Sequence, residues 1–185
     1  MNKQVLILTV GYPGSGKSTL VGLIRKEFPK LNVVNGDPFR ELLRKEINYF
    51  STLEFSEMTP EVERANAIAK EYKRLVFEEL AGNGQSVLIE GNHLEKNRRD
   101  KWFSKAKELN PNIVTVLLYF DINDNDLLER YKTRDTNSGS FGVQEFHKWR
   151  KDQMEQPSAN EADKLIVFNQ LNQKQVIDEL KSLLE

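Results

Sequence analysis

The sequence contains no cysteine. That absence excludes disulfides, thiolate metal sites and a cysteine nucleophile together, and it suits a reducing cytosol, so a cytoplasmic protein is expected. Long apolar runs are missing as well. The longest, Val5 to Val10 and Val114 to Phe120, fall far short of a membrane span. A single lysine before a short apolar stretch at the amino terminus does not make a secretory signal. Neither sign of charge is in excess: 27 basic and 28 acidic residues leave a net charge of -1. No global field therefore draws the molecule to nucleic acid, and such a partner would need a local basic patch. Histidine is scarce too. His93 and His147 stand apart from each other and from other ligand types, so no metal site is read from them. What remains is a chain of 185 residues, 38% hydrophobic and 30% charged, which suffices for one packed domain without staples.

Strands alternate with helices along this chain. Gln4 to Val10 reads as a buried strand ending at Gly11, and Leu20, Val21, Ile24 and Phe28 then recur at helical spacing. Leu31 to Asn35 is a second strand. Asp37-Pro38 opens a helix, because Asp suits the cap and Pro the first helical position. Residues 48 to 58 carry no clear pattern. Thr59-Pro60-Glu61 starts another helix, with Ala65, Ile68, Ala69, Tyr72, Leu75, Val76 and Leu80 as one apolar stripe before Gly82-Asn83-Gly84. Ser86 to Glu90 is a third strand, Glu95 to Leu109 a basic helix, Asn112 to Phe120 a fourth strand and Asn125 to Arg134 a helix. Thr133 to Gly142, rich in Gly, Ser and Asn, is expected to be a mobile loop, with a helix resuming at Val143 to Met154. Lys164 to Phe168 is a fifth strand, and Val176, Ile177, Leu180, Leu183 and Leu184 stripe the last helix. The alternation predicts an α/β fold in three layers, a five-stranded parallel sheet with helices on both faces. With no internal repeat and no dividing linker, residues 1–185 are expected to form one domain.

Gly11-Tyr12-Pro13-Gly14-Ser15-Gly16-Lys17-Ser18 fits G-x-x-x-x-G-K-[ST], the P-loop, between a strand and a helix as the mechanism requires. Glycines let backbone N–H groups converge on phosphate oxygens, and the helix start adds its positive dipole end. Gly14, Ser15, Gly16, Lys17, Ser18 and Thr19 are the expected ATP-binding set. Lys17 would neutralise the β- and γ-phosphates, and the Ser18 hydroxyl would be a ligand of Mg²⁺. A dinucleotide fold is disfavoured, because Thr19 stands where the third glycine of G-x-G-x-x-G belongs. A GTP-dependent switch needs N-K-x-D and D-x-x-G segments, and the chain has neither. A motor ATPase would prefer an acidic pair ending a strand, but Glu90 is followed by Gly91 and Asp121 by Ile122. A small kinase remains.

Its acceptor site should lie outside the carboxyl ends of the strands, where Asp37, Glu90 and Asp121 stand. Asp37 could accept the proton of an attacking hydroxyl, with Arg40 one turn later to hold an anionic substrate. The same Asp before Pro also reads as a helix cap with a solvated arginine, and spacing does not choose between the two. Glu90 and Asn92, leaving the third strand, fit either substrate contacts or an ordinary turn. Lys96, Arg98, Arg99, Lys101, Lys105 and Lys107 make one helix basic, but Glu95, Asp100 and Glu108 are interleaved, which favours a solvated face. Trp102, Phe103 and Trp149 read as packing rather than base-stacking platforms.

GYPGSGKST, NGDPFR, VLIEGNHLEKNRRDKW and YFDINDNDLLERYKTRDT, in that order, resemble the kinase domain of bacteriophage polynucleotide kinase and related kinases, from about residue 4 to residue 150. The resemblance implies a nucleoside-kinase-like P-loop fold and transfer of the γ-phosphate of ATP, with Mg²⁺, to a hydroxyl. It assigns Asp37 as general base and Arg40 as the contact to the substrate phosphate. It places the family's strand-three acid and asparagine on Glu90 and Asn92. It makes Arg134 the lid arginine, with Arg130 one turn earlier, in a mobile lid near 133–150. The phage enzyme has Asp where this chain has Glu90, and its phosphatase domain has no counterpart in these residues. NGDPFR and Glu90-Gly91 are also similar to zeta-toxin kinases, which act on a nucleotide sugar. The implied acceptor is thus a 5′-hydroxyl of a nucleic acid or nucleotide, with a small molecule as the alternative and a non-catalytic nucleotide-binding module behind both. Composition excludes a membrane partner and is silent on the oligomeric state.

Overall fold

Val5–Val10 (β1) is buried at every position, as a strand covered on both faces must be. The structure, a computed structural model, describes residues 3–54, 59–138 (backbone only from 133) and 154–185. In it β1 forms the middle of a five-stranded sheet with Asn32–Asn35 (β2), Val87–Glu90 (β3), Val114–Phe120 (β4) and Lys164–Phe168 (β5), in the order β2-β3-β1-β4-β5. Every pairing is parallel, with Leu6 opposite Val87 on one side of β1 and Val5 opposite Val114 on the other.

Side chains alternate across a strand, so β1 feeds two cores. Val5 and Ile7 pack with Leu20, Val21 and Ile24 of Lys17–Glu27 (α1), and with Val176 and Leu180 of the last helix. Leu6, Leu8 and Val10 meet Phe77 and Ala81 of a long helix, Pro60–Gly82, and Phe103 and Ala106 of the basic helix, Lys96–Leu109. A third, smaller cluster of Leu43, Phe50, Leu53, Val62 and Ala65 seats Asp37–Glu46 (α2) and a short 3₁₀ turn, Asn48–Phe50, against the long helix. In chain order the long helix is α3, Lys96–Leu109 is α4, Asp124–Ser138 is α5 and Gln173–Leu184 is α6. The three-layer α/β fold expected from the alternation is the fold observed. Among the described residues no helix is long and apolar enough to cross a membrane.

Three local expectations need correction. The buried stripe of α3 is Val62, Ala65, Ala69, Phe77 and Ala81, whereas Ile68, Tyr72 and Leu75 of the expected stripe face outward, Leu75 being 52% exposed. Two apolar stripes run along this helix, and the alanine-rich one is turned inward, where small side chains permit close packing. Asp37 is not the cap of α2. Gly36 takes that position, Asp37 is the first helical residue, and the Asn35 Oδ1 accepts the Asp37 amide at 2.9 Å. Thr133 to Ser138, expected as the start of a loop, is helical and completes α5, because no glycine interrupts the chain before position 139. The rest of that loop, the helix expected over 143–153, His147 and Trp149 lie outside the described residues.

Candidate active site

The loop from Gly11 to Gly16 turns sharply between β1 and α1, and its glycines make the turn possible. Gly14 and Gly16 have φ of 81° and 97°, a left-handed backbone that residues with a Cβ rarely adopt. At Gly11 a Cβ would lie 2.9 Å from that of Phe120 at the end of β4. Inside this turn the buried Lys17 ammonium donates to the carbonyls of Gly11 at 2.9 Å and Tyr12 at 2.5 Å, and approaches the Ser15 Oγ at 3.4 Å. Ser15 is buried, whereas Ser18 and Thr19, at the first turn of α1, are exposed.

Strand ends converge on this loop. The Thr9 hydroxyl donates to the Gly91 carbonyl at 2.8 Å, and the Gly91 amide donates back to it at 3.0 Å. The Gly11 amide donates to the carbonyl of Asn92 at 3.0 Å. Beneath this turn the buried His93 ring, 2.9 Å from the Thr9 carbonyl through Nδ1, leaves room only for glycine at 91, where a Cβ would meet the ring at 2.8 Å. Burial, reinforced by the charge of Lys73, lowers the His93 pKa to about 3, so the ring is neutral and Nδ1 carries the donated proton.

With β3 zipped to β1, Glu90 faces the loop. The Ser18 hydroxyl donates to Glu90 Oε1 at 2.6 Å, and the Asn35 amide donates to Oε2 at 3.0 Å. Asn35, at the end of β2, also holds the Asp37 amide, so one run of hydrogen bonds connects Ser18, Glu90, Asn35 and the start of α2. The Asp37 side chain is 71% exposed and ion-paired with Arg40 one turn later. Asp37, Arg40, Glu90 and Asn92 are thus brought to one rim of the sheet beside the phosphate loop. Glu90, expected on the acceptor side, has its carboxylate turned toward Ser18. The Asn92 side chain makes no hydrogen bond among the described residues, and Asp121 ends β4 on the other side of β1.

The loop is covered by α5. Arg130 Nη1 donates to the Gly14 carbonyl at 2.8 Å, and the Tyr131 hydroxyl donates to the Pro13 carbonyl at 2.6 Å. The backbone of Arg134 lies on the same helix one turn further, and its side chain is outside the described residues.

Sequence reasoning missed Asn35, Tyr131 and Lys73. Asn35 sits in the quoted NGDPFR segment, where an Asx turn before a helix was the available signal. Tyr131 and Lys73 carried none. Arg99 was grouped with a solvated face and is instead fully buried. It pairs with Glu161 at 2.6 Å, the two side chains being 0% and 2% exposed. Burial opposes ionisation of Glu161, but the Arg99 guanidinium and the Ser158 amide outweigh it and hold the carboxyl below its ordinary value. Other cations of α4 are paired as well, Lys96 with Asp100, Arg98 with Glu95, Lys105 with Glu108 and Lys107 with Asp163. Trp102 and Phe103 pack as expected, Trp102 edge-on to Phe77 with ring centroids 5.4 Å apart.

A family model described as an AAA domain matches residues 6–157, and the chain belongs to that family. Among solved structures, a candidate kinase from Chloroflexus aurantiacus is similar at a TM-score of 0.76 and 16% identity, covering 100% of both chains. A fungal RNA kinase is similar at 0.62 and 13% identity, over 98% of this chain and 87% of its own. Chaetomium thermophilum Kti12, solved in complex with ADP-AlF3, is similar at 0.67 and 14% identity, over 97% and 99%. At these identities the likeness is one of fold, and the kinship with P-loop kinase domains expected from the sequence holds at that level. No curated protein matches the chain.

Proposed function

We propose that this protein is a P-loop phosphotransferase that moves the γ-phosphoryl group of ATP, in the presence of Mg²⁺, onto a hydroxyl. The observation that carries the proposal is the hydrogen-bonded run from Ser18 through Glu90 and Asn35 to Asp37, which joins a phosphate cradle to an exposed carboxylate. The donor set fits a triphosphate: a buried ammonium that donates into its own loop, left-handed glycines that leave amides unobstructed, and a helix start. It fits Mg²⁺ too. The Ser18 hydroxyl and the Glu90 carboxylate are hard oxygen donors. Among the described residues no three metal-binding side chains cluster, which suits an ion held largely by phosphates and water. When bound, the ion neutralises charge on the β- and γ-phosphate oxygens.

We assign the protein's residues the following roles. Gly14, Ser15, Gly16, Lys17, Ser18 and Thr19 bind and orient the phosphates. The acceptor oxygen attacks the γ-phosphorus, the bond to the β-phosphate oxygen breaks, ADP leaves, and Asp37 takes the hydroxyl proton. Arg40 and Asn92 hold the acceptor. Arg130 and Arg134 stabilise charge on the transferring group from α5.

The acceptor we propose is a 5′-hydroxyl of a nucleic acid or nucleotide. Arg40 stands one turn from the base, where it can grip the phosphate beside the attacking hydroxyl. Among the described residues all the α4 cations but Lys101 are paired with acids, which leaves little open basic surface on that helix, so the footprint is one or two phosphates. The reading is tested by incubating the protein with γ-labelled ATP and a panel of 5′-hydroxyl oligonucleotides, nucleoside 3′-phosphates and nucleotide sugars. Label is expected on short oligonucleotides or 3′-nucleotides. Label on the nucleotide sugar alone would replace the acceptor, and no label on any of them would overturn the kinase.

A further inference from the structure

Lys73, on α3, carries a cation into the acceptor side of the site. Its aliphatic stem runs along the backbone of Gly36, where an added Cβ would lie 3.5 Å from both Cδ and Cε. Gly36 caps the helix that presents Asp37 and Arg40, so the ammonium is delivered beside them. Its electrostatic neighbours are Arg40, Asp37, Lys70 and Glu90. No hydrogen bond or ion pair reaches the ammonium among the described residues.

That situation is unlike the other lysines turned toward the protein. Lys17 donates to carbonyls of its own loop, and Lys107 reaches both Asp163 at 2.8 Å and the carbonyl of Ile113 at 2.7 Å. Lys73 is drawn out of water with no such partner, and Arg40 and Lys70 repel it. Burial, followed by the charge of Arg40, lowers its pKa from the ordinary lysine value. A desolvated cation beside a second cation is costly until an anion bridges them. Asp37 and Glu90 attract the ammonium without bonding it: Asp37 is paired with Arg40, and Glu90 is engaged by Ser18 and Asn35.

We infer that Lys73 is an acceptor-binding residue which, together with Arg40, holds a phosphate of the acceptor next to the attacking hydroxyl. The inference rests on the kinase reading and narrows its substrate class to hydroxyl compounds that already bear a phosphate. Lys73→Met keeps the stem along Gly36 and removes only the charge, and Lys73→Arg restores it.

The test is calorimetric titration of 3′-AMP, adenosine and UDP-glucose into protein saturated with ADP and Mg²⁺, in the wild type and both variants. At least one phosphate-bearing probe should bind the wild type. Lys73→Met should weaken that probe by about tenfold or more, as loss of a charge-assisted contact implies, and Lys73→Arg should recover most of it. Affinities for adenosine and for ADP should not change. Equal affinity of the phosphate-bearing probe in wild type and Lys73→Met, a parallel loss for adenosine, or no binding of either phosphate-bearing probe would overturn the role of Lys73. These measurements need no turnover, so a failure of phosphoryl transfer in the labelling panel would count against the kinase alone.

Discussion

The hydroxyl of Ser18 donates to Oε1 of Glu90 at 2.6 Å across 72 positions of sequence, joining the first turn of α1 to the last residue of β3. In the proposed reaction the serine would offer its oxygen lone pairs to a cation on the phosphate side, with the carboxylate behind it fixing its direction. Losing an outer partner of this kind typically costs about tenfold to a hundredfold in metal affinity.

Glu90→Gln is therefore expected to leave ATP affinity in the absence of metal unchanged, while raising the Mg²⁺ concentration for half-maximal transfer by about tenfold or more. A Mg²⁺ titration of transfer rate measures this. An unchanged midpoint would leave Glu90 as an anchor for Asn35 alone.

Asp37→Asn should retain the fold and ATP binding and lose transfer by about a hundredfold or more. The structure sharpens this substitution, because Asp37 does not cap α2 and its carboxylate is exposed, so stability has little reason to change. Near-normal transfer would reduce Asp37 to a surface partner of Arg40.

Arg130→Ala should cut transfer by up to about a thousandfold while ATP affinity changes far less, if the guanidinium leaves Gly14 for the transferring group. Tyr131→Phe provides the control. It removes the hydroxyl that donates to the Pro13 carbonyl, a bond worth about 1 kcal/mol, and should leave the rate near normal. Similar rate losses in both variants would mean that α5 acts by packing on the loop.

A pH titration of stability should reveal His93. Its ring takes a proton near 6.5 when unfolded but only at about 3 when folded, because burial excludes the charge. Between those values the unfolded chain binds the extra proton, so stability rises with pH through the window and falls as acid is added. The slope is at most about 1.4 kcal/mol per pH unit for one such group. It should show between pH 6.5 and 5, before Glu161 and Asp163 begin to lose their bonds to Arg99 and Lys107. Denaturant unfolding across this range, compared with His93→Gln, measures it. Equal slopes would place the His93 ring in contact with water.

Much of this architecture could be read from local pattern. The glycines of 11 to 16 announce their turn because other residues rarely adopt those dihedral angles, and β1, β4 and β5 are apolar runs bounded by turn residues. Asp37 and Arg40 were legible because one helical turn separates them. Pairings between distant segments were not. Nothing local to Glu90 says that a serine 72 positions earlier will donate to it, nor that Arg99 will be sealed against Glu161 rather than left in water. On α3, both Ala65-Ala69 and Ile68-Tyr72-Leu75 have helical spacing, and only the close approach of the sheet selects the alanines for the interior. Lys73 was invisible for the same reason, since its neighbours belong to α2 and β3.

The position of β1 also governs the order in which the molecule can assemble. It precedes the other four strands in sequence and is the middle strand of the sheet, yet its two neighbours begin at Val87 and Val114. As the chain leaves the ribosome, β1 has no strand to pair with until those distant residues have emerged, and closing such large loops is slow. Helix α1 is complete well before then and α3 just before β3, each with its sheet-facing apolar residues uncovered. The nascent protein thus carries a finished phosphate-loop sequence through the synthesis of α1, α2 and α3 without a sheet to shape it. The binding site comes into being late and all at once, when β3 and β4 close on β1.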